Sequence, residues 1–177
     1  MRMKDLHNRI TAEIVGGKQP TELFQELSAQ SPGNEAKIAY AIGCVPAEEK
    51  RKKYLKINGV LTLLLVLNSI FCLLAELPIN LDEPTLFIAL KTVLPLIFCY
   101  FTFRFFGAAY RFIAIWSLID FLETAILSLA TPPNPFVAYK MLIVFLVMTL
   151  CWYIAIKVFP NIGFMGPKKG PDGRYIL

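Results

Sequence analysis

Hydrophobic and polar positions are arranged in two different ways along this chain, and the change falls near Lys56. Before it, apolar residues recur every three or four positions among charged ones. Met3, Leu6, Ile10 and Ile14 form one such stripe, the signature of a helix with a single apolar face. Gly16-Gly17 ends that helix. Pro20 suits the first turn of a second helix, whose stripe is Leu23, Phe24 and Leu27. Ser31-Pro32-Gly33-Asn34 reads as a turn, with Asn34 placed to cap a third helix carrying Ile38, Ala39 and Ile42. Pro46 begins a fourth helix, in which Glu48-Glu49 followed by Lys50 to Lys53 complements the helix dipole. This last helix is expected to run unbroken into the apolar region.

After Lys56 the pattern becomes four long apolar stretches, about 57–77, 85–106, 109–130 and 136–158. Ile57 to Ala75 contains no charged residue, enough to cross most of a hydrocarbon layer ~30 Å thick. The connections are short, and Gly107-Ala108 alone separates the second stretch from the third, so neighbours should be antiparallel. The expected fold is an all-α integral membrane protein: a four-helix antiparallel bundle over 57–158, a small helical cytoplasmic head over 1–56, and an irregular tail over 159–177. Pro160, Gly163, Gly166, Pro167, Gly170 and Pro171 interrupt that tail. Within it, Pro171-Asp172-Gly173 is a turn signal that would let Arg174 to Leu177 fold back onto the head.

Composition sharpens this picture. Of 177 residues, 56% are hydrophobic, above the roughly 45–50% of soluble domains. The net charge of +5 would in a soluble protein suggest nucleic acid. Here the basic residues flank the spans, which is the charge pattern that orients membrane helices, so nucleic acid is set aside as a partner. Lys50, Arg51, Lys52 and Lys53 precede the first span, and Arg104 and Arg111 bracket the turn between the second and third. These residues are read as anchors of topology and contacts for lipid headgroups. The opposite loops, Pro78 to Pro84 and Thr131 to Pro135, hold Asp82 and Glu83 but no Lys or Arg, so head and tail are expected to be cytoplasmic in a bacterial-type inner membrane. Met1 to Asp5 lead into an amphipathic stretch rather than an apolar signal core, which leaves the first span to direct insertion.

The residues that draw attention are the charges inside the spans, because an ionisable side chain there is costly unless paired or wet. At ~1.5 Å per residue, Lys91 lies ~9 Å below the outer end of its span, Glu123 ~12 Å, Asp120 ~16 Å and Lys140 ~6 Å. Depth therefore pairs Lys91 with Glu123, leaves Asp120 without a matching cation, and gives Lys140 either Glu123 or the outer interface. Asp120 and Glu123 share a helix face with Ser117, and Asn68, near the middle of the first span, is a candidate hydrogen-bond partner for Asp120. The plain reading of this cluster is a polar seam that fixes the register of the helices. The functional one is a proton or cation path through a carboxylate.

Known catalytic, metal and nucleotide spacings are missing. His7 is the sole histidine and reads as a surface residue. Cys44, Cys72, Cys99 and Cys151 form no C-x-x-C pair and read as small buried apolar side chains. No cofactor or metal is expected. The function expected is that of a non-enzymatic interaction, accessory or immunity-type protein, working through its helices or its head on a membrane or cytosolic protein partner. In size and layout the chain is similar to four-span immunity proteins against pore-forming toxins, an analogy that no shared motif supports. The alternative is a small transporter or channel component, working as a homo-oligomer, with Asp120 on its pathway.

Overall fold

The computed structural model describes residues 3–75, 85–130, 135–164 and 166–177, with the backbone alone for residues 3–5, 73, 75, 85–91, 127 and 130. Among these residues it is all-helical: α1 (Met3–Val15), α2 (Pro20–Gln30), α3 (Glu35–Gly43), α4 (Glu48–Ala75), α5 (Thr85–Phe103), α6 (Gly107–Ala130) and α7 (Pro135–Val158). Two isolated β-bridges, Ile162 with Pro167 and Lys169 with Tyr175, are the only extended pairings described. Two of the helical stretches, Glu48–Cys72 and Pro135–Val158, are long and apolar enough to cross a membrane, and α5 contributes a shorter apolar stretch, Thr92–Phe103.

The chain divides into two compact units. The first joins Met1–Leu55, Phe105–Ala108 and Ala155–Leu177. Its core is made by the stripes that the sequence displays: Leu6, Ile10 and Ile14 of α1, Leu23 and Leu27 of α2, and Ile38, Ala41 and Ile42 of α3. Each large side chain removed from water in this way contributes ~1.5–3 kcal/mol. Glycine ends α1 as expected, with Gly17 at φ 90°, a left-handed conformation open to a residue without Cβ. Asn34 sits at the N-cap of α3 but makes no side-chain capping bond. The tail returns to this unit. Gly170 N–H donates to Arg174 O at 2.8 Å and Ile176 N–H to Lys168 O at 3.0 Å, around a turn with Gly173 at φ 75°. Leu177 packs against the helical core, and the Tyr175 ring meets Phe24 edge-on at 5.9 Å.

The segment that links α5 to α6 is also built into the first unit. Phe105 takes φ 53°, which is rare for a bulky residue and lets the chain reverse within Arg104, Phe105 and Phe106. Its ring is buried and carries the Arg51 guanidinium 5.6 Å from its centroid. Phe106 packs edge-on against His7 at 5.5 Å. Gly107, the first residue of α6, would otherwise hold an orphan N–H; it donates to Cys44 O at 3.1 Å.

The second unit joins Lys56–Arg104 and Ala109–Ile154. α4 belongs to both units, because it runs from Glu48 to Ala75 in one piece, as the sequence suggests. The second unit buries several polar side chains within an apolar core and leaves many large apolar ones outside. Its buried side chains include Asn58, Asn68, Ser69, Thr102, Ser117 and Thr124, while Leu63, Phe103, Phe112, Ile126, Leu129 and Leu142 lie outside. Leu129 is 89% exposed and Phe103 74%.

Candidate functional site

The polar groups inside the second unit come from four helices, and two of their clusters make up the candidate site. One sits where α5 ends. The last carbonyls of a helix lack intrahelical donors, and here a neighbouring helix supplies one: Asn58 Nδ2 on α4 donates to Thr102 O at 2.8 Å. Tyr110 on α6, fully buried, donates its hydroxyl to Asn58 Oδ1 at 2.7 Å, with Thr102 O at 3.2 Å. The Thr62 and Thr102 hydroxyls lie 3.3 Å apart, and Cys99 Sγ is 3.6 Å from Thr62 O. One asparagine thus satisfies both a helix end and a phenol, joining α4, α5 and α6.

The second cluster holds the charges. Lys140 Nζ on α7 lies 2.8 Å from Asp120 Oδ1 on α6, with both side chains about six-sevenths buried. Glu123, one turn further along α6, also acts electrostatically on Lys140. Ser117 and Thr124, buried on α6, lie about one turn on either side of Asp120. This pairing differs from the one that depth suggests. Asp120 has a cation after all, and the cation is Lys140. Depth along the helix axis ignores how far a lysine reaches: its four-carbon stem lets the ammonium travel several ångströms from its own Cα level. The Lys91 side chain lies outside the described residues, and with it the Lys91–Glu123 pairing. Asn68 is buried, but no hydrogen bond joins it to Asp120.

The basic residues read as anchors fall into distinct surroundings. Arg51, Lys52 and Lys53 are exposed and Lys50 half-buried. Lys52 pairs with Glu48 at 2.7 Å, one turn back on α4. Arg104 is exposed with its guanidinium 5.3 Å from the Tyr100 ring centroid, and Arg111 is half-buried. The thiols of Cys44, Cys72 and Cys151 are buried as expected, whereas Cys99 is half-buried and bonded. His7 is not a plain surface residue: it is half-buried against Phe106, and burial pushes its imidazole below the ordinary value of 6.5.

The first unit carries a charge cluster that the sequence pattern does not single out. Glu26 on α2 accepts from Arg9 at 2.8 Å and from Lys18, and Lys18 also meets Glu13 at 3.2 Å. The Lys18 hydrogen bond is the main cause that holds the Glu26 carboxyl below the usual carboxylate range, and the same bond raises Lys18. Beside it, a groove of about 650 Å³ opens between Thr21, Phe24, Gln25 and Ser28 of α2 and Gly173, Arg174 and Tyr175 of the tail. Among the described residues no group of three or more His, Cys, Asp or Glu side chains could hold a metal. Comparison with protein-family models, curated proteins and solved structures returns no match.

Proposed function

We propose that this chain is a multi-pass membrane protein with four spans, formed by α4 to α7, that acts as a non-enzymatic interaction, accessory or immunity-type protein. The observation that carries the membrane reading is the apolar exterior of the second unit, where leucine, isoleucine and phenylalanine side chains lie exposed while hydrogen-bonded asparagine and threonine sit inside among apolar neighbours. Lipid is a solvent in which that arrangement is stable. α6, with 24 residues, reaches ~36 Å, longer than the ~30 Å of hydrocarbon to be crossed. The basic flanks favour a reading with head and tail on the cytoplasmic side of a bacterial-type inner membrane. The lipid bilayer is one partner. The other is a membrane or cytosolic protein, engaged through the mixed polar and apolar groove beside Phe24 or through a helix face.

A gentle-detergent pulldown of the tagged chain from native membranes, with mass spectrometry and a sizing step, tests this. A partner recovered in near-equal amount and lost on Phe24→Asp supports it. Recovery of a homo-oligomer alone overturns it.

A second reading, a small oligomeric transporter or channel component, draws on the Asp120–Lys140 pair. Buried intramembrane charges are the usual elements of ion and proton paths. In liposomes it requires a flux that Asp120→Asn removes while the protein still inserts.

A further inference from the structure

Among the described residues of the second unit, Asn68 Oδ1 on α4 and Thr92 Oγ1 on α5 are buried oxygens with no hydrogen-bond partner. Asn68 as a whole is only 7% exposed. The two belong to one neighbourhood, because Ser69, adjacent to Asn68, donates its hydroxyl to Thr92 O at 2.6 Å. α5 is also loosened here. Pro95 has no N–H for the carbonyl four residues earlier, so the backbone ladder is interrupted beside Thr92. Buried acceptors nearly always find a donor, and one that lacks it within the protein points to a bound molecule.

The surroundings select what that molecule is. Asn68 Oδ1 accepts, Thr92 Oγ1 donates or accepts, and Ser69 Oγ keeps acceptor capacity after its bond to Thr92 O. Three neutral oxygen partners match a buried water, which typically makes ~3 hydrogen bonds. A calcium-sized cation wants ~6–8 oxygen ligands, carboxylates among them. On the same buried face of α4, Leu61, Leu65 and Cys72 leave Asn68 among apolar neighbours.

We propose that Asn68 Oδ1, Thr92 Oγ1 and Ser69 Oγ bind an internal water molecule within the spans, between α4 and α5. The water gives the unpartnered side chains of the two helices their missing hydrogen bonds. This site goes beyond the interaction reading and rests only on α4 to α7 being membrane spans.

Solid-state NMR of the isotopically labelled full chain in lipid bilayers tests it, by comparing magnetisation transfer from water with transfer from lipid acyl chains. The Asn68 side-chain amide is expected to receive water magnetisation severalfold faster than Leu61 and Leu65 on the same buried face, and Thr92→Val is expected to slow that transfer. Asn68 building up no faster than Leu65 in the wild-type chain overturns the site. Absence of lipid transfer to the exposed Leu63 overturns the membrane reading itself, and the two failures are read from one sample.

Discussion

Lys140 of α7 and Asp120 of α6 hold their charges 2.8 Å apart, with 14% and 15% of their side chains exposed. Removing one member of a buried pair strands the other, at a cost of ~3–5 kcal/mol, whereas replacing both with apolar groups is often close to neutral. Asp120→Asn or Lys140→Met should therefore lower the denaturation midpoint in detergent markedly, and Asp120→Leu combined with Lys140→Leu should restore most of it. A double variant as unstable as the sum of the singles would show that the two side chains do not act as a pair.

Asn58 is expected to be the most sensitive neutral residue of the second unit. Asn58→Leu removes two hydrogen bonds at once and leaves the Tyr110 hydroxyl and the Thr102 carbonyl only their longer 3.2 Å contact with each other, at ~1–3 kcal/mol in all. Tyr110→Phe removes only one donor and should cost ~1 kcal/mol. Equal losses from the two substitutions, read by denaturant titration in micelles, would contradict the shared role assigned to Asn58.

Gly107 is fixed by its surroundings. A Cβ there would lie 2.6 Å from Phe159 Cδ1, and Phe159 is itself buried and cannot swing away. Gly107→Ala should destabilise the first unit by ~1–3 kcal/mol through overpacking, and Phe159→Leu in the same chain should recover part of the loss. Hydrogen exchange at the Gly107 amide, bonded to Cys44 O, reports the effect locally.

Acid should loosen the first unit in two steps. His7 has its imidazole lowered by burial, so the unfolded chain binds a proton first, and stability falls as pH drops below the ordinary value of 6.5. Glu26, held low chiefly by the Lys18 hydrogen bond, contributes stability that is present above the usual carboxylate range and is lost as pH falls through its lowered value. Amide exchange in α1 and α2 followed against pH checks both. His7→Phe should remove the upper step and Glu26→Gln the lower one.

Much of the helical skeleton is legible in the sequence because it rests on local signals. Gly17, Pro20 and the Ser31–Asn34 turn break the chain where α1, α2 and α3 end or begin, and the Pro171–Gly173 turn returns Tyr175 to Phe24. The site is less legible because it depends on how far each helix is rotated about its own axis. Asn58 stands next to the basic run and resembles an interface residue, yet it faces inward. Tyr110 resembles a membrane-surface anchor, yet it is fully buried against Asn58. Phe105 and Phe106 look like the end of an apolar span, and only the positive φ of Phe105 turns them into the linking segment of the first unit. The spacer expected at Gly107-Ala108 is instead the start of α6, and the chain reverses three residues earlier, at Arg104 to Phe106.

The most direct test of the four-span account is the sidedness of two introduced thiols. Asn134→Cys and Lys169→Cys are labelled in intact cells with a membrane-impermeant maleimide, against a background in which Cys44, Cys72 and Cys151 are buried. The account predicts that position 134 labels at once and position 169 only after the membrane is opened. Labelling of both positions from the same side would contradict it.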